Sequence, residues 1–119
     1  MSHDDILDAE AIAMLQSMSS DDGGQFFNEL IDIFLGDTPT RIEEVRATLS
    51  GGDLSTGQRA AHSIKGAAGN FGAHQLAHLA HEIEQLAQNF DLNAMTAALP
   101  KLDAEYARVK AALEAVRIK

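Results

Sequence analysis

His62, Lys65, Gly66 and Gly69 follow one another at the spacing i, i+3, i+4, i+7, which gathers them into one narrow stripe of an α-helix. An imidazole near neutral pH is both nucleophile and base, and an ammonium one turn away can hold an anion beside it. Glycines next to them strip side chains from the backbone. The combination describes an exposed histidine that another protein must touch. Gln58 and Arg59 continue the stripe towards the N-terminus. Ala60, Ile64, Ala67 and Phe71 keep the same period about half a turn away, so packing them into a core turns His62 outward. Each mid-helix glycine costs about 1 kcal/mol relative to alanine. On a solvent face that cost calls for a reason beyond folding, and close approach of a partner is one.

The elements that hold this stripe read as helices throughout. Alanine and leucine are abundant, tryptophan is absent, and every long segment repeats its apolar residues at about 3.6 rather than 2. A short first helix is predicted after Asp8 as its N-cap, burying Ala11, Met14, Leu15 and Met18, and Ser19 to Gly24 break it. The second begins near Gln25 and carries Phe27, Ile31, Phe34, Thr38, Ile42, Val45 and Leu49 on one face. That stripe keeps its phase across Pro39, which predicts one kinked helix, with two separate helices as the alternative. Gly51 and Gly52 are the clearest stop signal. Asp53 or Ser55 then caps the helix bearing His62, which runs to about Asn70. Phe71, Gly72 and Ala73 make a tight reversal into a fourth helix that buries Leu76, Leu79, Ile83, Leu86 and Phe90 and ends around Asn89, Asp91 and Asn93. The fifth buries Leu92, Met95, Leu99, Leu102, Tyr106, Val109, Leu113 and Val116 and bends at Pro100. The expected fold class is all-α: an antiparallel up-and-down four-helix bundle with the short N-terminal helix lying across one end.

Composition sets limits on what this face can meet. A chain of 119 residues, 45% hydrophobic and 23% charged, fits one domain over 1–119. Its formal net charge of −9 disfavours nucleic acid and anionic membranes as partners. Without cysteine there are no disulfides and no thiolate metal ligands, which is compatible with a cytoplasmic location. Met1 to Glu10 lack both the basic start and the apolar run of a signal peptide, and no stretch is long enough to span a bilayer.

Ala61 to Gly72 read AHSIKGAAGNFG. A histidine, two residues, lysine-glycine and a later glycine closing a turn resemble the signature of histidine-containing phosphotransfer (HPt) domains. A lone HxxKG is a weak signal, but the preceding alanine, Gly72, the Gly51–Gly52 break and the five-helix layout strengthen it. The resemblance implies that His62 accepts a phosphoryl group from an aspartyl phosphate on a response-regulator receiver domain and passes it to another receiver. A hybrid histidine kinase is a further partner it allows. It also implies no autokinase activity, and the chain has no glycine-rich nucleotide loop of the P-loop or kinase type. In-line transfer needs a nucleophile, positive charge around the equatorial oxygens and a metal. With no evident carboxylate cluster for magnesium, this chain is expected to bind no cofactor, and Mg2+ is expected in the receiver.

On this reading His62 attacks through Nε2 while a neighbour fixes Nδ1, and Lys65 meets the phosphoryl oxygens. One such charge pair at about 4 Å and an effective dielectric of about 20 is worth roughly 4 kcal/mol before desolvation. Arg59 extends the patch, Gly66 and Gly69 admit the partner backbone, and Gly72 permits the reversal and joins the partner face. Family members often orient the histidine with a polar residue of the following helix, which by motif offset points to His81, Glu84 and Gln88. Glu84 is the choice for Nδ1, although a neutral amide is often found there; His81 and Gln88 are left to partner contact.

Blander readings compete. His62 alone would pass for a surface histidine, and Lys65 for a solubilising charge; their company with three glycines in register reverses the odds. His74, His78 and His81, with Glu82, invite a metal site. However, His74 and His81 are separated by about 10 Å of helical rise, too far for three ligands on one ion. Incidental histidines on a polar face explain them. The alternative function is a helical interaction module that docks on receivers without exchanging phosphate, which the presence of both His62 and Lys65 disfavours. Starting at Met1 without a flanking linker, the chain reads as free-standing, and as a self-contained bundle it reads as a monomer.

Overall fold

A computed structural model describes residues 6–118, and among them every regular element is a helix. α1 spans Ala9–Ser17, α2 Gln25–Leu49, α3 Leu54–Asn70, α4 His74–Gln88 and α5 Leu92–Val116. Their starts are set by side-chain caps. Asp8 accepts the amides of Glu10 and Ala11, Asp53 rather than Ser55 caps α3 through the Ser55 amide, and Asp91 accepts the Ala94 amide. At the start of α2 the buried Ser19 hydroxyl accepts the Phe27 amide at 2.6 Å, a cap supplied from eight residues upstream. The Gly51–Gly52 stop holds, with Gly51 at φ +99.

Both prolines lie inside continuous helices, so α2 is one helix and not two. Pro39 has no N–H for the Leu35 carbonyl one turn back, and the Tyr106 hydroxyl of α5 donates to that carbonyl at 3.5 Å. α3 packs between α2 and α4, and α5 packs against both α4 and α2, which closes a four-helix up-and-down bundle. Phe27, Ile31, Phe34, Val45, Ile64, Leu76, Ile83, Met95, Leu102, Val109 and Leu113 are all buried in one contiguous core. Phe34 meets Phe71 edge to face at a centroid distance of 5.4 Å. Where α2 crosses α3, Gly57 is buried, and a Cβ there would collide with the Thr48 side chain. Glycine is therefore what lets these two helices approach.

α1 covers the end of the bundle formed by the start of α2, the α3–α4 turn and the end of α5. Gln16 reaches the Val116 carbonyl at 3.4 Å, and Asp8 reaches His74 at 3.3 Å. Its buried side corrects the expected one. Met14 and Met18 are 65% and 62% exposed, while Ile12 and, just before the helix, Leu7 are buried. A helix laid over a bundle end touches it along one short line and buries less than a helix flanked on two sides. Phe90 and Leu92, also expected inside, are 78% and 45% exposed. α4 has ended at Gln88 and Phe90 turns the chain at φ +57, so the phase of α4 no longer carries Phe90 inward, and Leu92 is the first residue of α5, at its open end.

Candidate functional site

The α3–α4 face carries a polar cluster of four side chains. His62 projects from the middle of α3 with 66% of its side chain exposed. Its Nδ1 lies 2.8 Å from Oε2 of Glu84, whose side chain is only 13% exposed between the two helices. Lys65, one turn along α3, donates to the other oxygen, Oε1, at 3.0 Å. His81 stands one turn before Glu84, with Nδ1 3.4 Å from the Lys65 ammonium and 3.6 Å from Oε1. One carboxylate thus holds both an imidazole and an ammonium. Burial by itself raises the Glu84 carboxyl, but the hydrogen bonds from Lys65 and His62 outweigh it and leave its pKa below the ordinary carboxylate value. Glu84 is an anion at neutral pH.

Proton positions follow from what each group can do. A carboxylate only accepts, so Nδ1 of His62 carries the hydrogen, and in the neutral ring the lone pair sits on Nε2. An ammonium only donates, so Nδ1 of His81 accepts and its proton is on Nε2. Two of the three Lys65 N–H groups are engaged, by Glu84 and His81. Both acceptors come from α4.

The other expected residues separate into distinct places. Gly66 and Gly69 are exposed, and a Cβ added to either would meet nothing within 4 Å. Gly72 is different: it is buried at φ +65, and the space a Cβ would need is filled by Asp8. Gly72 shapes the reversal and offers no surface to a partner, which corrects its expected place in the partner face. Arg59 is exposed on the α2 side of His62, lining a groove with Arg41, Glu44 and Ser63 rather than facing α4. Gln88 lies beside Leu54, Gln58 and Phe90, one turn beyond Glu84. Of the three α4 candidates, the His62 ring meets Glu84.

Sequence reasoning did not foresee the Lys65–His81 contact, or that α2 would help build the apolar patch expected around the glycines. That patch is a groove lined by Leu15, Leu30, Ile33, Phe34, Ala67, Asn70 and Phe71, with Ile33 66% exposed. The signal for it was present in Leu30 and Ile33, apolar residues on α2 that fall outside its core stripe. Among the described residues no three His, Cys, Asp or Glu side chains are grouped so that they could hold a metal ion. The α4 histidines go to separate partners: His74 to Asp8, His78 to Glu82 at 3.1 Å and His81 to Lys65. No helix of the described residues is long and apolar enough to cross a membrane.

Comparison with known proteins agrees with this arrangement. A family model described as the Hpt domain matches residues 29–118. No curated protein matches the chain significantly. Among solved structures, histidine-containing phosphotransfer protein B (HptB) of Pseudomonas aeruginosa PAO1 superposes with a TM-score of 0.84 at 30% identity, covering 94% of each chain. The histidine-containing phosphotransfer protein ZmHP2 of maize superposes with a TM-score of 0.82, covering 94% of this chain and 83% of its own; at 23% identity that likeness speaks to the fold. With its helical bundle, its exposed histidine and the match over residues 29–118, this chain belongs to the Hpt domain family.

Proposed function

We propose that the chain is a histidine phosphotransfer protein of a two-component phosphorelay and that Nε2 of His62 carries the phosphoryl group between receiver-domain aspartates. What supports this reading most is the His62 ring itself, two-thirds exposed and fixed through Nδ1 so that its lone-pair nitrogen faces away from Glu84.

In the transfer, the Nε2 lone pair attacks the phosphorus of an aspartyl phosphate, the N–P bond forms, and the aspartate leaves with the electron pair of the broken O–P bond. Delivery to the next receiver is the reverse. The third N–H of Lys65 faces the developing charge on the equatorial oxygens. No nucleotide takes part. The magnesium ion that such a transfer uses is held by the receiver, so each partner supplies half of the reacting centre.

Docking uses the backbone cleared at Gly66 and Gly69 together with the apolar groove at Ile33 and Ala67. Apolar centre and polar rim suit a transient interface of about 800 Å² per partner. HPt proteins work with receiver domains and histidine kinases; for this chain we further propose a monomer acting in the cytoplasm.

The test is to incubate the chain with phosphorylated receiver domains and look for an acid-labile, base-stable phosphoryl adduct. Wild type is expected to acquire it and His62→Gln to remain unlabelled. Label retained in His62→Gln would overturn the assignment, and a wild type that binds receivers without taking up phosphate would instead favour a docking module.

A further inference from the structure

The partner of His62 Nδ1 is an anion, not a neutral amide, and this has a consequence for the phosphorylated state. An amide oxygen would orient the ring equally well. A carboxylate also favours the ring form that carries a positive charge. Once Nε2 bears a phosphoryl group, the ring is either a phosphoimidazolium that keeps its Nδ1 hydrogen or a neutral phosphoimidazole that has lost it. These two forms differ as donors. From the first, the ring departs as a neutral imidazole; from the second, it must depart as an imidazolate, a far poorer leaving group.

We propose that Glu84 keeps the Nδ1 proton on phosphorylated His62 and thereby maintains the phosphoryl group in its transferable form across the physiological pH range. This rests on the phosphoacceptor reading above and concerns its regulation. The 2.8 Å contact between Nδ1 and Oε2 and the shielded position of Glu84 carry it. Atoms and electrons balance without any proton leaving the site. On delivery, an aspartate oxygen of the receiver bonds to phosphorus, the N–P bond breaks with its electron pair going to Nε2, and the ring is left as the neutral Nδ1–H tautomer. On acceptance the same steps run backwards, and the positive charge that appears on the ring faces a carboxylate already in place.

The groups that surround Glu84 set how strongly it acts. From α3 these are His62 and the Lys65 ammonium, 3.0 Å away on the other oxygen. From α4 it is His81, at 3.6 Å from the same oxygen. Among the described residues no ionisable side chain of α2 or α5 reaches the carboxylate. Lys65 therefore moderates the pull of Glu84 on the His62 proton as well as facing the phosphate. In the unphosphorylated chain Lys65 and His62 hold the Glu84 carboxyl below the ordinary carboxylate value despite its burial, which agrees with an anion being in place before the phosphoryl group arrives.

The experiment uses the whole chain, labelled with 15N in histidine and phosphorylated by phosphoramidate, which modifies imidazole without a receiver. The 15N shifts of the His62 ring are followed against pH in wild type and in Glu84→Gln, which keeps the hydrogen-bond acceptor but removes the charge. The Nδ1 proton of the wild-type phosphohistidine is expected to persist about one to two pH units higher than in Glu84→Gln. Delivery to a receiver should follow it, falling about tenfold per pH unit above the titration point of the variant while wild type stays level. Circular dichroism and labelling of His62 by phosphoramidate check that the variant is folded and competent. Coincident titrations in the two proteins would overturn this inference alone. A wild type that forms no adduct at His62 would overturn it together with the phosphoacceptor reading.

Discussion

α3 and the reversal that follows it carry two pairs of glycines whose surroundings are opposite. Gly57 and Gly72 sit where the chain presses on itself: a Cβ at the first collides with Thr48 of α2, and at the second with Asp8 ahead of α1. Gly66 and Gly69 face open space, and nothing in the chain asks for their smallness. A mid-helix glycine costs about 1 kcal/mol whichever side it faces. For Gly57 that cost is offset within the fold by a close helix crossing, while Gly72 lies outside the helix at φ +65, where the tight reversal itself asks for glycine. For Gly66 and Gly69 nothing among the described residues offsets it, and the docking proposed above would. The pair without an internal explanation is the pair that lies one and two turns after His62 on the same helix face.

Substitutions separate the two pairs, beginning with the largest expected effect. Gly72→Ala forces a Cβ into a left-handed conformation and against the Asp8 backbone, and should cost about 2–4 kcal/mol in denaturant unfolding. Gly57→Ala overpacks the α2–α3 crossing by about 1–3 kcal/mol and recovers about 1 kcal/mol of helix propensity, for a net loss of about 1 kcal/mol. In a Thr48→Ala background that loss should disappear, because the clash is with the Thr48 side chain; a double-mutant cycle measures it. Gly66→Ala and Gly69→Ala should each stabilise the fold by about 0.5–1 kcal/mol while slowing phosphoryl uptake from a receiver. If they destabilised the chain, or left uptake unchanged, the contrast between the pairs would lose its meaning.

The smallest effect concerns Glu84, which serves both the fold and the exposed face. Its folded pKa lies below the ordinary carboxylate value, so the stability it contributes is present above that value and is lost as pH falls through the lower, folded one. The stability difference between wild type and Glu84→Gln should therefore be constant near neutrality and shrink on acidification. Urea titrations at a series of pH values read this directly, and a difference that grew in acid would mean that Glu84 is not held as an anion.

Much of this was legible in the sequence because local chemistry determined it. Asp8, Asp53 and the Gly51–Gly52 break mark boundaries through caps and turns that need no tertiary context, and the apolar phase running through Pro39 anticipates one long helix. The errors fall where local periodicity ceases to apply. Met14 and Met18 lie on and at the end of an end-capping helix with a single line of contact, Phe90 follows a helix that has already stopped, and Leu92 opens the next one. The site divides in the same way. His62, Lys65 and the open glycines follow from spacing within α3. The choice among His81, Glu84 and Gln88 depends on how far α4 slides along α3, which the Phe71–Ala73 reversal fixes. Seating Lys65 between Glu84 and His81 depends on the same register, and so lies beyond one helix's sequence.

The central claim is that the nitrogen turned away from Glu84 is the one that takes the phosphoryl group. Phosphorylating 15N-labelled chain from a charged receiver and reading the 31P–15N coupling identifies the bonded nitrogen. The account predicts coupling to Nε2 of His62. Coupling to Nδ1, or a phosphoryl group on any other residue, would contradict it.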